Sequence, residues 1–208
     1  MSTPTTMSGI VLTGYGDLDC LEWRDNLPMP QVGPDDVLIR VGAAGVNNTD
    51  INTRTGWYAK SVTDATSCNA SLGPDEDGTW NGETLHFPHI QGADCCGQIE
   101  AVGANIDPSR IGSRVLTRTM QNHIQDDGSK RLITQGSEVS GAFAQYMSAR
   151  AGDAICVNSD WTDIELASIP CAYTTAEGML VRANVGAETV VITGASGGVG
   201  SAAIQLAK

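Results

Sequence analysis

Basic residues are scarce in this chain: across 208 residues there are 12 Lys and Arg against 24 Asp and Glu, a formal charge of −12. A nucleic-acid backbone is held by neutralising its phosphates with Lys and Arg. The balance therefore speaks against nucleic acid as a partner, and against an anionic membrane surface for the same reason. The chain also lacks any apolar run near ~18 residues, and its opening, MSTPTTMSGIVLTGYG, has no basic segment leading into an apolar stretch. Neither a spanning helix nor a secretory leader is expected, and the chain reads as cytoplasmic. Cysteine pairs at metal or redox spacing are missing too. Cys20, Cys68, Cys95, Cys96, Cys156 and Cys171 form no Cys-x-x-Cys motif, and the adjacent Cys95 and Cys96 cannot easily bridge each other. Free, mostly buried thiols are expected, with no four-cysteine zinc site.

What is present is globular. Hydrophobic residues make up 41% and charged residues 17%, with 24 Gly and 8 Pro; this composition suits short strands and tight turns. At roughly 150 residues per domain the length suggests one domain and part of another. From Ser8 to about Ile155 short alternating runs are cut by Gly, Pro and Asp: GIVLTGYG, DVLIRVGAAGV, GQIEAVG and SRVLTRT. They predict an early hairpin and a barrel-like sheet. In DVLIRVGAAGV, Val37, Ile39 and Val41 alternate with Leu38 and Arg40, which makes the first set the more securely buried face. Residues 59–87 and 121–138 read as polar surface excursions. The first is either a tolerated insertion or a lid over a substrate cleft with Trp80 as its anchor.

After Cys156 the character changes. TDIELASIP predicts a short helix starting at Asp160 or Thr162 and stopped by Pro170. A second helical run carries Ala172, Ala176, Met179 and Leu180. The β-branched run ETVVIT then predicts a buried strand, and GASGGVGSAAIQLAK a glycine turn opening a helix. A glycine turn between strand and helix cradles a pyrophosphate, because unpaired backbone N–H groups and the helix dipole point at the anion. Measured against G-x-G-x-x-G, the segment is Ala195, Ser196, Gly197, Gly198, Val199, Gly200, with alanine where the first glycine makes the tight turn. The other reading is a turn that serves only close helix–strand packing. The residue that would read the ribose 2′ position lies beyond Lys208, and Val190, Val191 and Ile192 need neighbouring parallel strands that these residues do not supply.

The order of AAGVNNTDINTRTGWY (43–58), FPHIQGADCCGQIEAVG (87–103), RIGSRVL (110–116), ASIPCAYTTAEGML (167–180) and VVITGASGGVGSAAIQLAK (190–208) resembles the medium-chain dehydrogenase/reductase superfamily, especially its quinone-oxidoreductase-like and zinc-type alcohol-dehydrogenase-like branches. The resemblance implies a mixed α/β chain with a chaperonin-10-like β-barrel catalytic domain over 1–155. Residues 156–208 would then be the hinge helices and the incomplete opening of a Rossmann NAD(P)-binding domain, with the active site in the cleft between the two. It implies NADP as cofactor, NAD remaining possible, a small carbonyl, enone or quinone as substrate, and a homodimer or higher homo-oligomer for the full-length enzyme.

Zinc-type relatives take three catalytic ligands from positions occupied here by Asn47, Ala93 and Cys171. Alanine has no donor atom and an amide carbonyl is a poor zinc ligand, so no catalytic zinc is expected unless Asp94 or His89 completes a site. Zinc-free relatives reduce activated double bonds. On that pattern Asn47 is the candidate donor to an enolate oxygen, Thr49 the proton relay and Tyr58 a cleft-lining residue, while Asp50 fixes the loop. The alternative for each is turn or barrel-end structure. Thr175 matches the position whose hydroxyl approaches nicotinamide in relatives, with a helix N-cap as its other reading. The cofactor set is therefore Thr175, Ala195, Ser196, Gly197, Gly198, Val199 and Gly200. Two further readings stay open: a zinc-type alcohol dehydrogenase with an atypical site, and a non-catalytic barrel fragment.

Overall fold

The computed structural model describes residues 4–63, 77–124 and 127–208. Cys68 and the middle of the 59–87 excursion lie outside the described residues. The chain opens with a hairpin, β1 (Thr6–Leu12) antiparallel to β2 (Leu21–Pro28). Next come β3 (Asp36–Gly45), helix α1 (Asn48–Thr55), β4 (Asp94–Val102) and β5 (Arg114–Thr117). β6 (Met120–Ile124), β7 (Lys130–Thr134), β8 (Tyr146–Arg150) and β9 (Ala154–Cys156) follow. Three helices complete the described chain: α2 (Asp163–Ala167), α3 (Pro170–Arg182) and α4 (Gly198–Leu206).

The central sheet has the order β8-β3-β4-β5-β9, with antiparallel pairings throughout. Register shifts in the β3–β4 pair, between Leu38 and Ile39 and between Val41 and Ala43, curl it. Its inner face is apolar, with Val37, Ile39, Cys95, Ile99, Val115 and Met147 at most 1% exposed. The β3 alternation holds where Arg40 turns outward, but Leu38 is buried as well because both faces of the strand's start are covered. The hairpin closes on this sheet where Leu12 bridges to His89 and Gly9 to Ala144. A Cβ at Gly9 would stand 2.8 Å from that of Ala144, so only glycine lets the strands approach this closely.

Three expectations change. Residues 121–138 contain β6 and β7, an antiparallel pair whose interior is polar: Gln121 and Gln135 are buried and hydrogen-bonded to each other at 3.0 Å. The run at 188–193 forms no hydrogen-bonded ladder, since no described strand lies beside it. Met179 is exposed on α3 because its side faces an open cleft, while Ala172 and Ala176 are buried against Ala202 and Ala203 of α4. Thr162 caps α2 through a reciprocal box with Glu165, and Pro170, which stops that helix from continuing, is the first residue of α3. The described cysteines Cys20, Cys95, Cys96, Cys156 and Cys171 are free.

Candidate active site

Asp50 organises the loop that leads into α1. It is buried, its Oδ2 accepts from the backbone N–H of Asn47 at 2.8 Å, and its Oδ1 accepts from the N–H groups of Gly92 and Ala93 at 3.2 Å. Burial raises its carboxyl above the ordinary range, and these backbone donors pull it back. The loop before α1 is thereby fixed to the start of β4, as the sequence reading of Asp50 expects.

Asp94, 1% exposed, stands at the centre of the site. Its Oδ2 accepts from Asn47 Nδ2 at 2.9 Å, while its Oδ1 accepts from Thr119 Oγ1 at 3.1 Å and from the backbone N–H of Cys171 at 2.8 Å. Burial pushes its carboxyl up to about 6; the three donors lower it, and the nearby charge of Asp50 adds to the rise.

A cleft of about 600 Å³ opens beside these groups, lined among others by Thr49, Trp80, Thr119, Cys171, Thr174 and Thr175. Thr49 and Thr175 therefore share one cavity. Thr175 lies well inside α3, whose first residue is Pro170, so its N-cap reading does not hold. Asn47 directs its amide to Asp94 and is not among the cleft's lining residues; nor is Tyr58, which stands behind Thr49 and donates from Oη to Thr49 Oγ1 at 3.2 Å. The ring of Tyr58 packs edge-on against Trp80 at 4.9 Å between centroids. Trp80 is itself held by its backbone N–H to Ser137 Oγ at 3.0 Å. Sequence reasoning passed over Thr134 because it lies in the stretch read as a surface excursion, and over Thr119 because it closes SRVLTRT, read only as a strand.

The three positions that bind zinc in zinc-type relatives do not fit the metal here. Asn47 uses its amide toward Asp94 and Ala93 has no donor, which leaves the Cys171 thiol as the one ordinary zinc ligand of the three. Among the described residues no three or more His, Cys, Asp or Glu side chains converge as a metal site. His89 does not complete one, because it lines a separate cavity with Glu83, His86 and Glu138. Elemental analysis of protein purified without chelators is expected to give far less than one zinc per chain, and one tightly bound zinc would contradict this.

At the other end of the chain the glycine turn solves its missing first glycine one residue early. Gly194 takes the left-handed conformation at φ 63°, and its carbonyl accepts from Gly197 N–H at 3.0 Å, while Ala195 needs no positive φ. A Cβ at Gly200 would meet the Gly194 carbonyl oxygen at 2.3 Å, so the third glycine of the motif is required for close packing. Ser196, Gly197 and Gly198 are exposed, leaving the first backbone N–H groups of α4 open to an anion.

Residues 33–159 match the family model of the alcohol dehydrogenase GroES-like domain. The chain belongs to that family. This GroES-like chain is a member of the medium-chain dehydrogenase/reductase superfamily, with a barrel domain followed by the beginning of a Rossmann domain. Among solved structures, a Sinorhizobium meliloti 1021 protein provisionally described as an alcohol dehydrogenase superposes with a TM-score of 0.81 at 43% identity, covering 99% of this chain and 55% of its own. The chloroplastic NADPH-dependent alkenal/one oxidoreductase of Arabidopsis thaliana is 26% identical over 100% of the chain and 46% of its own length. The quinone oxidoreductase of Lama guanicoe is 28% identical over 97% of the chain and 50% of its own length. The GroES-like chain thus spans about half the length of the curated relatives it matches. No helix among its described residues is long and apolar enough to cross a membrane.

Proposed function

We propose that the protein is a zinc-independent, NADPH-dependent reductase of small enones or quinones. Residues 1–155 form the barrel side of the cleft, and residues 156–208 open the nucleotide-binding domain. The observation that carries this reading is the shared cleft. Thr49, hydrogen-bonded to Tyr58 Oη at 3.2 Å, lines the same cavity as Thr175, so a hydroxyl backed by a second hydroxyl faces the space beside the Thr175 helix.

A reduced nicotinamide, when bound, supplies hydride to the β-carbon of an α,β-unsaturated carbonyl. Charge then develops on the carbonyl oxygen, where Thr49 donates a hydrogen bond that strengthens as the charge forms. Tyr58, behind it, is hydrogen-bonded to the Thr49 hydroxyl and extends the same chain for the proton that completes the reduction. The glycine turn from Ala195 to Gly200 would hold the pyrophosphate through the N–H groups of α4, and Thr175 would serve the nicotinamide end. Asn47 serves the start of α1 through Asp94.

The test is turnover by a full-length protein that carries this chain. NADPH oxidation in the presence of a small enone or a benzoquinone, unchanged by a zinc chelator, is expected. Oxidation of an alcohol with NAD(P)⁺ that a chelator abolishes, with no enone or quinone reduction, would overturn the proposal. Calorimetry of NADPH with the 208 residues alone is expected to give no micromolar binding, because the strands beside Val190–Ile192 that would position the turn lie outside them; micromolar affinity would contradict this.

A further inference from the structure

We infer that Asp94 is a positioning residue: its carboxylate clamps the start of α3 and the loop before α1 together, so that Thr175 on one element and Thr49 on the other face the same substrate. The inference is about how the site is held, and its catalytic consequence rests on the reading above. The two elements lie far apart in sequence, and Asp50 fixes only the first of them, the loop before α1. α3 begins without a side-chain cap from its own N-cap residue, Ile169. An uncapped helix start leaves backbone N–H groups unsatisfied. Asp94 Oδ1, on the neighbouring strand, supplies the missing acceptor at 2.8 Å from Cys171 N. A carboxylate in that place also meets the positive end of the dipole of a 13-residue helix.

The other carboxylate oxygen takes Asn47 Nδ2, two residues ahead of Thr49, and Oδ1 also takes the hydroxyl of Thr119, which lines the cleft. Three donors from three segments thus converge on one buried side chain, and every one of them adjoins or belongs to the cleft wall. The arrangement has a geometric logic beside the zinc-type pattern. Two of the positions that such relatives tie together through a metal, 47 and 171, are tied here through hydrogen bonds to the residue next to the third, Ala93. A carboxylate suits that task because all its neighbours are donors. Asparagine can preserve most of the pattern, with its oxygen accepting from Thr119 and Cys171 and the Asn47 amide flipped to accept from the new NH₂. Alanine preserves none of it.

The clamp is tested on this chain directly by amide proton resonances and hydrogen exchange. In Asp94→Ala, exchange of Cys171 and the first turn of α3 is expected to speed at least about tenfold, while Ile39 and Ile99 in the sheet stay protected. Should Asp94→Ala fail to fold, Asp94→Asn provides a second readout at the same amide. The Cys171 amide proton is expected to move upfield as a charge-assisted bond becomes a neutral one. An unchanged Cys171 amide in the folded variant would overturn the clamp. In a full-length protein, Asp94→Ala is expected to lower kcat on the order of tenfold, with KM for NADPH little changed and Asp94→Asn restoring most of the rate. Equal kcat loss in both variants would overturn the positioning role. A clamp seen by exchange in a protein that reduces neither enone nor quinone would leave the clamp standing and remove the reductase reading.

Discussion

Thr49→Val in a full-length protein carrying this chain is expected to lower kcat and kcat/KM together by about 10²-fold, the scale for removing one donor to a developing oxyanion. Valine matches the shape of threonine and removes only the hydroxyl, so the cleft keeps its form. Equal losses in the two constants are the signature of an interaction made in the transition state and not in the ground state. Tyr58→Phe removes the bond to Thr49 Oγ1 at 3.2 Å and leaves the Thr49 proton free to turn elsewhere, so a smaller loss is expected. Asn47→Ala acts through Asp94 and is expected to cost less than Thr49→Val. A Thr49→Val protein that melts normally and keeps its kcat would take Thr49 out of the chemistry.

The second large effect is in stability against pH, and it comes from two buried groups whose contributions oppose each other. Burial lowers His89 from 6.5 to about 4. Between those values the unfolded chain binds a proton that the folded chain refuses, so stability falls as pH drops. Burial raises Asp94 from 3.8 to about 6. In that interval the folded chain keeps a proton that the unfolded chain releases, so stability rises as pH drops. Each shift corresponds to about 3 kcal/mol at ~1.4 kcal/mol per pH unit. The two nearly cancel between pH 4 and 6, so the wild-type profile carries little trace of either. Single substitutions expose each half: His89→Gln should melt higher as pH falls from 7 to 4.5, and Asp94→Asn should melt lower, each by on the order of 10 °C. Asp50 and His123, raised and lowered respectively by burial, are common to all three proteins and drop out of the comparison. Variant profiles that run parallel to the wild type would refute the assignment. Loss of the Asp94 charge also raises stability above pH 6, so Asp94→Asn should gain stability at neutral pH while its kcat falls modestly.

How far the residues could be read depended on where burial followed apolarity. The early hairpin, the strands holding Ile39, Ile99 and Val115, the capped start of α2 and the glycine turn were all legible, because alternation, cap chemistry and glycine placement each carry a physical signal. The β6–β7 pair was not. Gln121, Thr134 and Gln135 are buried there, two of them in a side-chain hydrogen bond, and a polar interior looks like a surface loop to any reading of periodicity. The site shows the same divide. Asp50 and Thr49 were recognisable from their motif, whereas the grouping of Asn47, Thr119 and Cys171 around Asp94 depends on tertiary distance that no local pattern records. Ala195 looked like a defect in the fingerprint only because the left-handed residue had been placed one position too late.

The buried centre of the contact between α3 and α4 is made by Ala172, Ala176, Ala202 and Ala203, with Tyr173 and Val199 packed against it, and a Cβ at Gly198 would stand 3.5 Å from that of Ala172. Methyl groups have no torsion through which to yield. A larger neighbour can rotate away from a push, but across these four methyls a push at the glycine turn is passed on to the partner helix. The glycine turn and the helix that carries Thr175 are therefore expected to move as one part. That stiffness is maintained by the smallness of four side chains, so its weak point is any added carbon among them rather than any lost one.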